Sequence, residues 1–145
     1  MIAVDTNILV YAHREDSPWH SAALAALTRL AESGAPWAIP WPCVHEFLAI
    51  TTHPRIYAPP TPMAIALDAI ACWRASPALR FLGEGAGYFE HLADMAVASK
   101  LQGAMIHDAR IAALCVAHGV RQLWSADRDF SRFPQIKVVN PLVQV

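Results

Sequence analysis

Short apolar runs alternate with longer stretches in which apolar residues recur every three or four positions, and this alternation persists along the chain. Ile2-Ala3-Val4 predicts a short buried strand, stopped by the polar trio Asp5-Thr6-Asn7, with a brief helix from Ile8 to Ala12. A helix is expected from Pro18 through Glu32, with Leu24, Leu27 and Leu30 as its apolar face and Gly34 as its stop. Trp37-Ala38-Ile39 reads as a second strand closed by Pro40, and Pro42 opens a helix to about Thr52. Residues 54–62 hold four prolines and predict an irregular crossing. Thr61 is the expected N-cap, with Pro62 at the first position, of a helix to about Ala75.

Ala78 to Leu82 predicts a third strand, followed by the flexible run Gly83-Glu84-Gly85-Ala86-Gly87. Helix resumes from Tyr88 to Leu101, breaks at Gly103, and returns from about His107 to Ala117, where His118-Gly119 suits a left-handed C-cap. Val120 to Ala126 and Lys137-Val138-Val139 are the fourth and fifth strands. Strands alternating with helices imply a three-layer α/β/α sandwich with a mainly parallel central sheet covered on both faces.

The length, 145 residues, fits one domain spanning 1–145. Hydrophobic residues make up 55% and charged residues 16%, which excludes a disordered or low-complexity chain. A formal net charge of -1 excludes a basic grip on nucleic acid over the whole surface, while leaving room for a local basic patch. No apolar run approaches the ~18 residues of a membrane span, and Met1 to Tyr11 lacks the charged flank of a signal peptide. A soluble, cytoplasmic protein is expected. The mean hydropathy of +0.30 is high for such a protein and points to a partner or a self-association face. Cys43, Cys72 and Cys115, odd in number and widely spaced, make neither a disulfide framework nor a zinc pair, and each is expected to be buried.

Candidate chemistry lies in where the acids fall. Asp5 follows the first strand and Asp127 the fourth, and open parallel sheets bind ligands beyond their carboxyl-terminal strand ends. Two more acids interrupt apolar helical stripes near the starts of their helices. Glu46 aligns with Cys43, Phe47 and Ile50, and Asp108 with Ala104, Ile111, Ala112 and Cys115. A carboxylate on a core-facing stripe is costly unless paired, protonated or bound to a cation. Each acid alone has a plainer role: Asp5 or Asp108 as a helix cap, Glu46 as partner of a buried arginine, Asp127 as a turn residue. Their convergence on one rim favours a shared site for a hard divalent cation, Mg²⁺ or Mn²⁺, able to activate water for phosphodiester hydrolysis. The seven histidines are scattered and form no zinc motif, and His45 and His107, each preceding an acid, read as structural. Neither a nucleotide-binding P-loop nor a G-x-S-x-G elbow is present.

Asp5-Thr6-Asn7 after the opening strand, Val44-His45-Glu46-Phe47, and His107-Asp108-Ala109 opening a late helix together resemble PIN domains. The stretch from Gly119-Val120 through Leu123-Trp124-Ser125-Ala126-Asp127-Arg128-Asp129-Phe130 to Phe133-Pro134 and Asn140-Pro141-Leu142 is similar to the closing segment of VapC toxins. The resemblance covers essentially the whole chain. It implies a PIN-like fold and a Mg²⁺- or Mn²⁺-dependent endoribonuclease, the toxin of a type II pair, held inactive by a VapB-like antitoxin and assembled as a homodimer. Asp5, Glu46, Asp108 and Asp127 match the acidic tetrad of that family. Asp5 and Asp108 would bind metal, Glu46 would complete the cluster, and Asp127 would hold a second metal or orient the attacking water.

Thr6 and Asn7 match the small polar residues beside the first acid and are candidate substrate contacts, as are Arg110 and Arg128, with Arg14 and Arg132 nearby in sequence. Ser125 stands where threonine is frequent. Asp129 competes with Asp127 for the fourth place, and Asp127 is preferred because it directly follows the strand. Two alternatives are a haloacid-dehalogenase-like hydrolase with Asp5 as nucleophile and a non-catalytic PIN-like scaffold. The first wants a second Asp where Asn7 stands and a placed lysine, of which only Lys100 and Lys137 exist. The second would be favoured by the loss of an acid, and all four are present.

Overall fold

The apolar runs that interrupt the helical pattern all join one sheet. The computed structural model describes residues 1–143 and runs β1 (Ile2–Val4), α1 (Thr6–His13), α2 (His20–Glu32), β2 (Trp37–Pro40), α3 (Trp41–Thr51), α4 (Met63–Arg74), β3 (Leu79–Leu82), α5 (Tyr88–Ala98), α6 (Ile106–Ala117), β4 (Gln122–Trp124) and β5 (Lys137–Val139). The five strands lie in the order β3-β2-β1-β4-β5, and every pairing is parallel. Ala3 faces Ala38 on one side and Leu123 on the other, and all three are fully buried. The central β1 and β2, covered on both faces, read as apolar runs, while β3, β4 and β5 carry the polar Arg80, Gln122 and Lys137.

Right-handed crossovers place α1 to α4 on one face and α5 and α6 on the other. Packing follows that division, with α1 against α2 and α3, α3 against α4, and α5 against α6. The α/β/α sandwich is therefore present, with an all-parallel sheet. Among the described residues no helix is long and apolar enough to cross a membrane.

Several local expectations change. The first helix is longer than its apolar stretch and spans Thr6–His13, because Asp5 caps it directly. The second helix begins at His20, and its buried stripe is Ala23, Ala26, Leu27 and Leu30. Leu24 lies off that stripe and is 45% exposed. Thr61 does not cap α4, since its hydroxyl is engaged by His13 and Arg14, and Pro62 takes the cap position without a side-chain bond. Helix α5 stops at Ala98 rather than Leu101, where Lys100 turns the chain with a positive φ of 52°. Ser125 and Ala126 lie beyond the last residue of β4. Cys43 and Cys115 are buried, but Cys72 is exposed on α4. That helix also exposes Met63, Ile65 and Leu67, which accounts for part of the high mean hydropathy.

Phe47 is fully buried, with its ring edge-on to Trp73 at 4.9 Å and to His13 at 5.4 Å. Phe47→Ala is expected to cost about 3–5 kcal/mol. Phe89→Ala, at a side chain 71% exposed, is expected to cost less than about 0.5 kcal/mol. Urea unfolding of both variants checks this, and equal losses would contradict the packing described.

Candidate active site

The strand order reverses between β1 and β4, and a crevice opens there beyond their carboxyl ends. A cavity of about 320 Å³ occupies it, lined by Asp5, Thr6, Asn7, Glu46, Asp108 and Asp127. Four separate segments thus deliver the four acids singled out from sequence to one space. Hydrophobic residues from the same segments, including Ile50, Ile111 and Phe130, complete its walls with Tyr11 and Tyr57.

Asp5 is the most constrained of the acids. Only 4% of it is exposed, and it N-caps α1, with Oδ1 accepting from the Thr6 backbone N–H at 2.8 Å. The Cys43 thiol also donates to Oδ1, at 3.6 Å. Oδ2 accepts from Ser125 Oγ at 2.7 Å and from Asn7 Nδ2 at 3.3 Å. Burial nevertheless outweighs these donors and, with the Glu46 charge adding to it, Asp5 is pushed up to about 6. The same burial holds the Cys43 thiol well above its usual range, so it stays protonated.

Ser125 and Asn7 stitch the β4 loop to this carboxylate. Ser125 Oγ accepts from the Asp127 backbone N–H at 3.0 Å, and Asn7 Oδ1 accepts from the Ala126 N–H at 3.1 Å. Thr6 Oγ1 donates to Glu46 Oε2 at 2.9 Å. Thr6 and Asn7 therefore line the cavity with their polar atoms turned toward the acids. Glu46 itself is exposed and lies at the edge of the stripe expected to bury it, beside buried Cys43 and Phe47. It answers Thr6 rather than a buried arginine.

Asp108 sits in the first turn of α6, whose cap position is Met105, so it is not the N-cap. Asp127 is both a turn residue and a cavity residue. Its Oδ1 accepts from the Asp129 N–H at 2.8 Å and caps a 3₁₀ turn over Arg128–Arg132. Asp108, Asp127 and Asp129 each bring a carboxylate oxygen within 4.8 Å of the others. Partial burial and the charge of Asp127 hold Asp108 above the ordinary carboxylate range, and Arg132 works against them. Asp129 is exposed, lies 3.7 Å from Arg132 and does not line the cavity, whereas Asp127 does.

The donor set is all carboxylate oxygen, without histidine or thiolate, and its members repel one another. That chemistry fits a hard divalent cation. Asp108, Asp127 and Asp129 cluster together, and Thr6 links Asp5 to Glu46 through its backbone N–H and its hydroxyl.

The arginines are placed less uniformly. Arg110 leaves the cavity, because Nε reaches Glu84 at 3.1 Å in a separate cleft beside Trp41 and Gly83. Arg14 is held by Asp16. Arg128 is exposed and lines the hollow adjoining Asp127. His45 stacks loosely on Trp41 at 6.1 Å, and neither it nor His107 lines the cavity. Sequence reasoning passed over Tyr11 and Tyr57. Tyr57 lies in the proline-rich crossing, where no periodicity marks a facing side.

Because the folded protein holds the Asp5 proton more tightly than the unfolded chain, this group favours folding in acid and loses that contribution as pH rises from about 4 to about 6. The loss amounts to roughly 3 kcal/mol at neutral pH. Asp5→Asn is therefore expected to melt above the wild type at pH 7.5 in chelator, with the gap closing near pH 4. Melting curves across that range check it, and a gap independent of pH would contradict it.

A model of the PIN domain matches residues 2–136. The chain is 33% identical over 142 residues to VapC ribonuclease Mb2897 of Mycobacterium bovis, covering 98% of this chain and 96% of that protein. It is 32% identical over 138 residues to Ribonuclease VapC48 of Mycobacterium tuberculosis, covering 94% of each. In structure it is similar to a chain of VapBC2 from Rickettsia felis, solved with a DNA fragment from its promoter, at a TM-score of 0.70, 18% identity and coverage of 97% and 98%. The chain belongs to the PIN-domain family, among the VapC ribonucleases.

Proposed function

We propose that this protein is a metal-dependent endoribonuclease, the toxin of a type II toxin–antitoxin pair, acting in the cytoplasm as a single PIN-like unit. The observation that carries the reading is the convergence of Asp5, Glu46, Asp108 and Asp127 on one cavity at the sheet's switch point. The names of the relatives agree with it.

Asp5 and Asp108 are the principal ligands for Mg²⁺ or Mn²⁺, with Glu46 completing the set. A divalent cation held by these residues would supply Lewis-acid chemistry to a phosphodiester and lower the pKa of a water beside it. Asp127, anchored through Ser125, orients the attacking water or holds a second cation. Thr6 fixes the Glu46 carboxylate, and Asn7 holds Asp5 against the β4 loop. Arg128 and Arg132, near the rim, offer charge to flanking phosphates. A dehalogenase-like role for Asp5 fits poorly, since both of its oxygens are engaged by donors and Asn7 supplies an amide where an acid is needed.

Antitoxin-free protein is expected to cleave RNA with Mn²⁺ or Mg²⁺, and to lose cleavage both in EDTA and in the Asp5→Ala/Asp108→Ala double variant. Structured and unstructured RNA are both assayed, and cleavage surviving either control would sink the assignment of these acids. The partner is a VapB-like antitoxin, and the protein itself is a homodimer. Exposed apolar side chains on α2 and α4, among them Leu24, Met63 and Leu67, support an association face. Light scattering at micromolar concentration without antitoxin is expected to give the dimer mass, and a monomer mass would refute self-association.

A further inference from the structure

The cavity that holds the acids is also lined by Tyr11, Ile50 and Tyr57. Two of the helices that carry its polar residues continue past those residues by one turn. On α1, Tyr11 stands four residues after Asn7, and on α3, Ile50 stands four residues after Glu46. Residues so spaced lie one above the other, about 6 Å apart along the axis. The chain leaving α3 then brings Tyr57 back against the same cavity. A rim suited to phosphate thus shares its cavity with an aromatic and aliphatic wall.

Tyr57 is not a loose surface ring. The Arg14 guanidinium lies 4.2 Å from its centroid. That guanidinium is itself fixed, with Nε and Nη2 donating to Asp16 at 2.9 and 2.6 Å and Nη1 donating to the Pro59 carbonyl at 3.0 Å and Thr61 Oγ1 at 3.2 Å. Arg14 therefore has no free nitrogen for a phosphate and instead ties the end of α1 to the proline-rich crossing. A ring held this way loses little freedom when a flat ligand stacks on it. Hydrolysis of a phosphodiester has no use for two phenols beside the acids, but recognition of an unstacked base does.

We infer that Tyr57 and Tyr11 form the seat for the nucleobase beside the scissile phosphate, with Arg14 as the positioning residue for Tyr57. The assignment rests on the ribonuclease reading above and adds to it which side chains of this chain hold the base next to the cut.

The test begins with total bacterial RNA, digested by the intact protein with Mn²⁺ and sequenced at its new 5′ ends. A short RNA spanning the strongest cut then gives KM and kcat. Tyr57→Leu is expected to raise KM about 5- to 100-fold, to change kcat less, and to flatten the base preference beside the cut. Tyr57→Phe returns the ring and restores both. Arg14→Gln gives a smaller rise in KM. An abasic nucleotide beside the cut costs the wild type most of what Tyr57→Leu costs, and costs that variant little more. The rise in Tm on adding Mn²⁺, which depends on the acids, persists in these variants and separates loss of the seat from loss of the fold. If Tyr57→Leu does not fold, Tyr11→Leu takes its place with the same expectation.

Wild-type KM and base preference in the leucine variants would overturn the assignment, as would failure of Tyr57→Phe to restore them. Unchanged cleavage with weakened antitoxin binding would overturn it too, making the wall a protein-docking surface. Absence of cleavage by the wild type on every RNA, with the Mn²⁺-dependent rise in Tm present, would overturn the ribonuclease reading and the nucleobase seat with it.

Discussion

A carboxylate at the end of the central strand, nearly cut off from water, sets the terms for the rim around it. Burying a charge is costly unless something compensates, and no lysine or arginine reaches Asp5. Its compensation comes from dipoles: the first amide of α1, the Ser125 hydroxyl, the Asn7 amide and the Cys43 thiol. These are enough to position the group but not to keep it at an ordinary acidity. The bonds that position Asp5 also define the neighbouring loop, since Ser125 Oγ joins Asp5 to the backbone of Asp127. One hydroxyl thereby couples two of the acids, and a shift in either strand end disturbs both.

The arginines nearest in sequence leave this negative charge largely intact. Arg14 is spent on Asp16 and the proline-rich crossing, and Arg110 on Glu84. Arg132 alone tempers the Asp108 side, through Asp129 and at longer range. Mutual repulsion is thus concentrated where the sheet's topology already favours a ligand, and a divalent cation is the simplest agent that relieves it. The overall charge of -1 conceals this local imbalance.

Much of the arrangement is legible in the sequence because its elements are local. Asp5 directly follows Ile2-Ala3-Val4 and Asp127 lies three residues past the end of β4, so a parallel sheet puts both beyond the same ends of adjacent strands. Glu46 and Asp108 were visible as acids among apolar neighbours, although only the structure shows Glu46 at the margin of its stripe rather than within it. What sequence does not display is tertiary competition for a side chain. Thr61 has the look of a cap, yet His13 and Arg14 take its hydroxyl. Leu24 fits an apolar spacing, yet Ala23 and Leu27 define the buried line. Tyr57 sits in a segment with no period, and at the cavity it packs against the guanidinium of Arg14, far away in sequence.

The strand order also fixes when the site comes into being. The first strand to be synthesised becomes the middle of the sheet, and the Ser125–Asp5 bond closes a separation of 120 residues. At about 5–20 residues per second, a ribosome needs roughly 6–24 s to make that intervening chain. Glu46 and then Asp108 are added during that interval, and until β4 is made the three acids lack the loop that brings the fourth beside them. Assembly of the acidic rim consequently waits for β4, and a translation product interrupted between Asp108 and β4 has three of the acids in its sequence but no complete pocket to gather them.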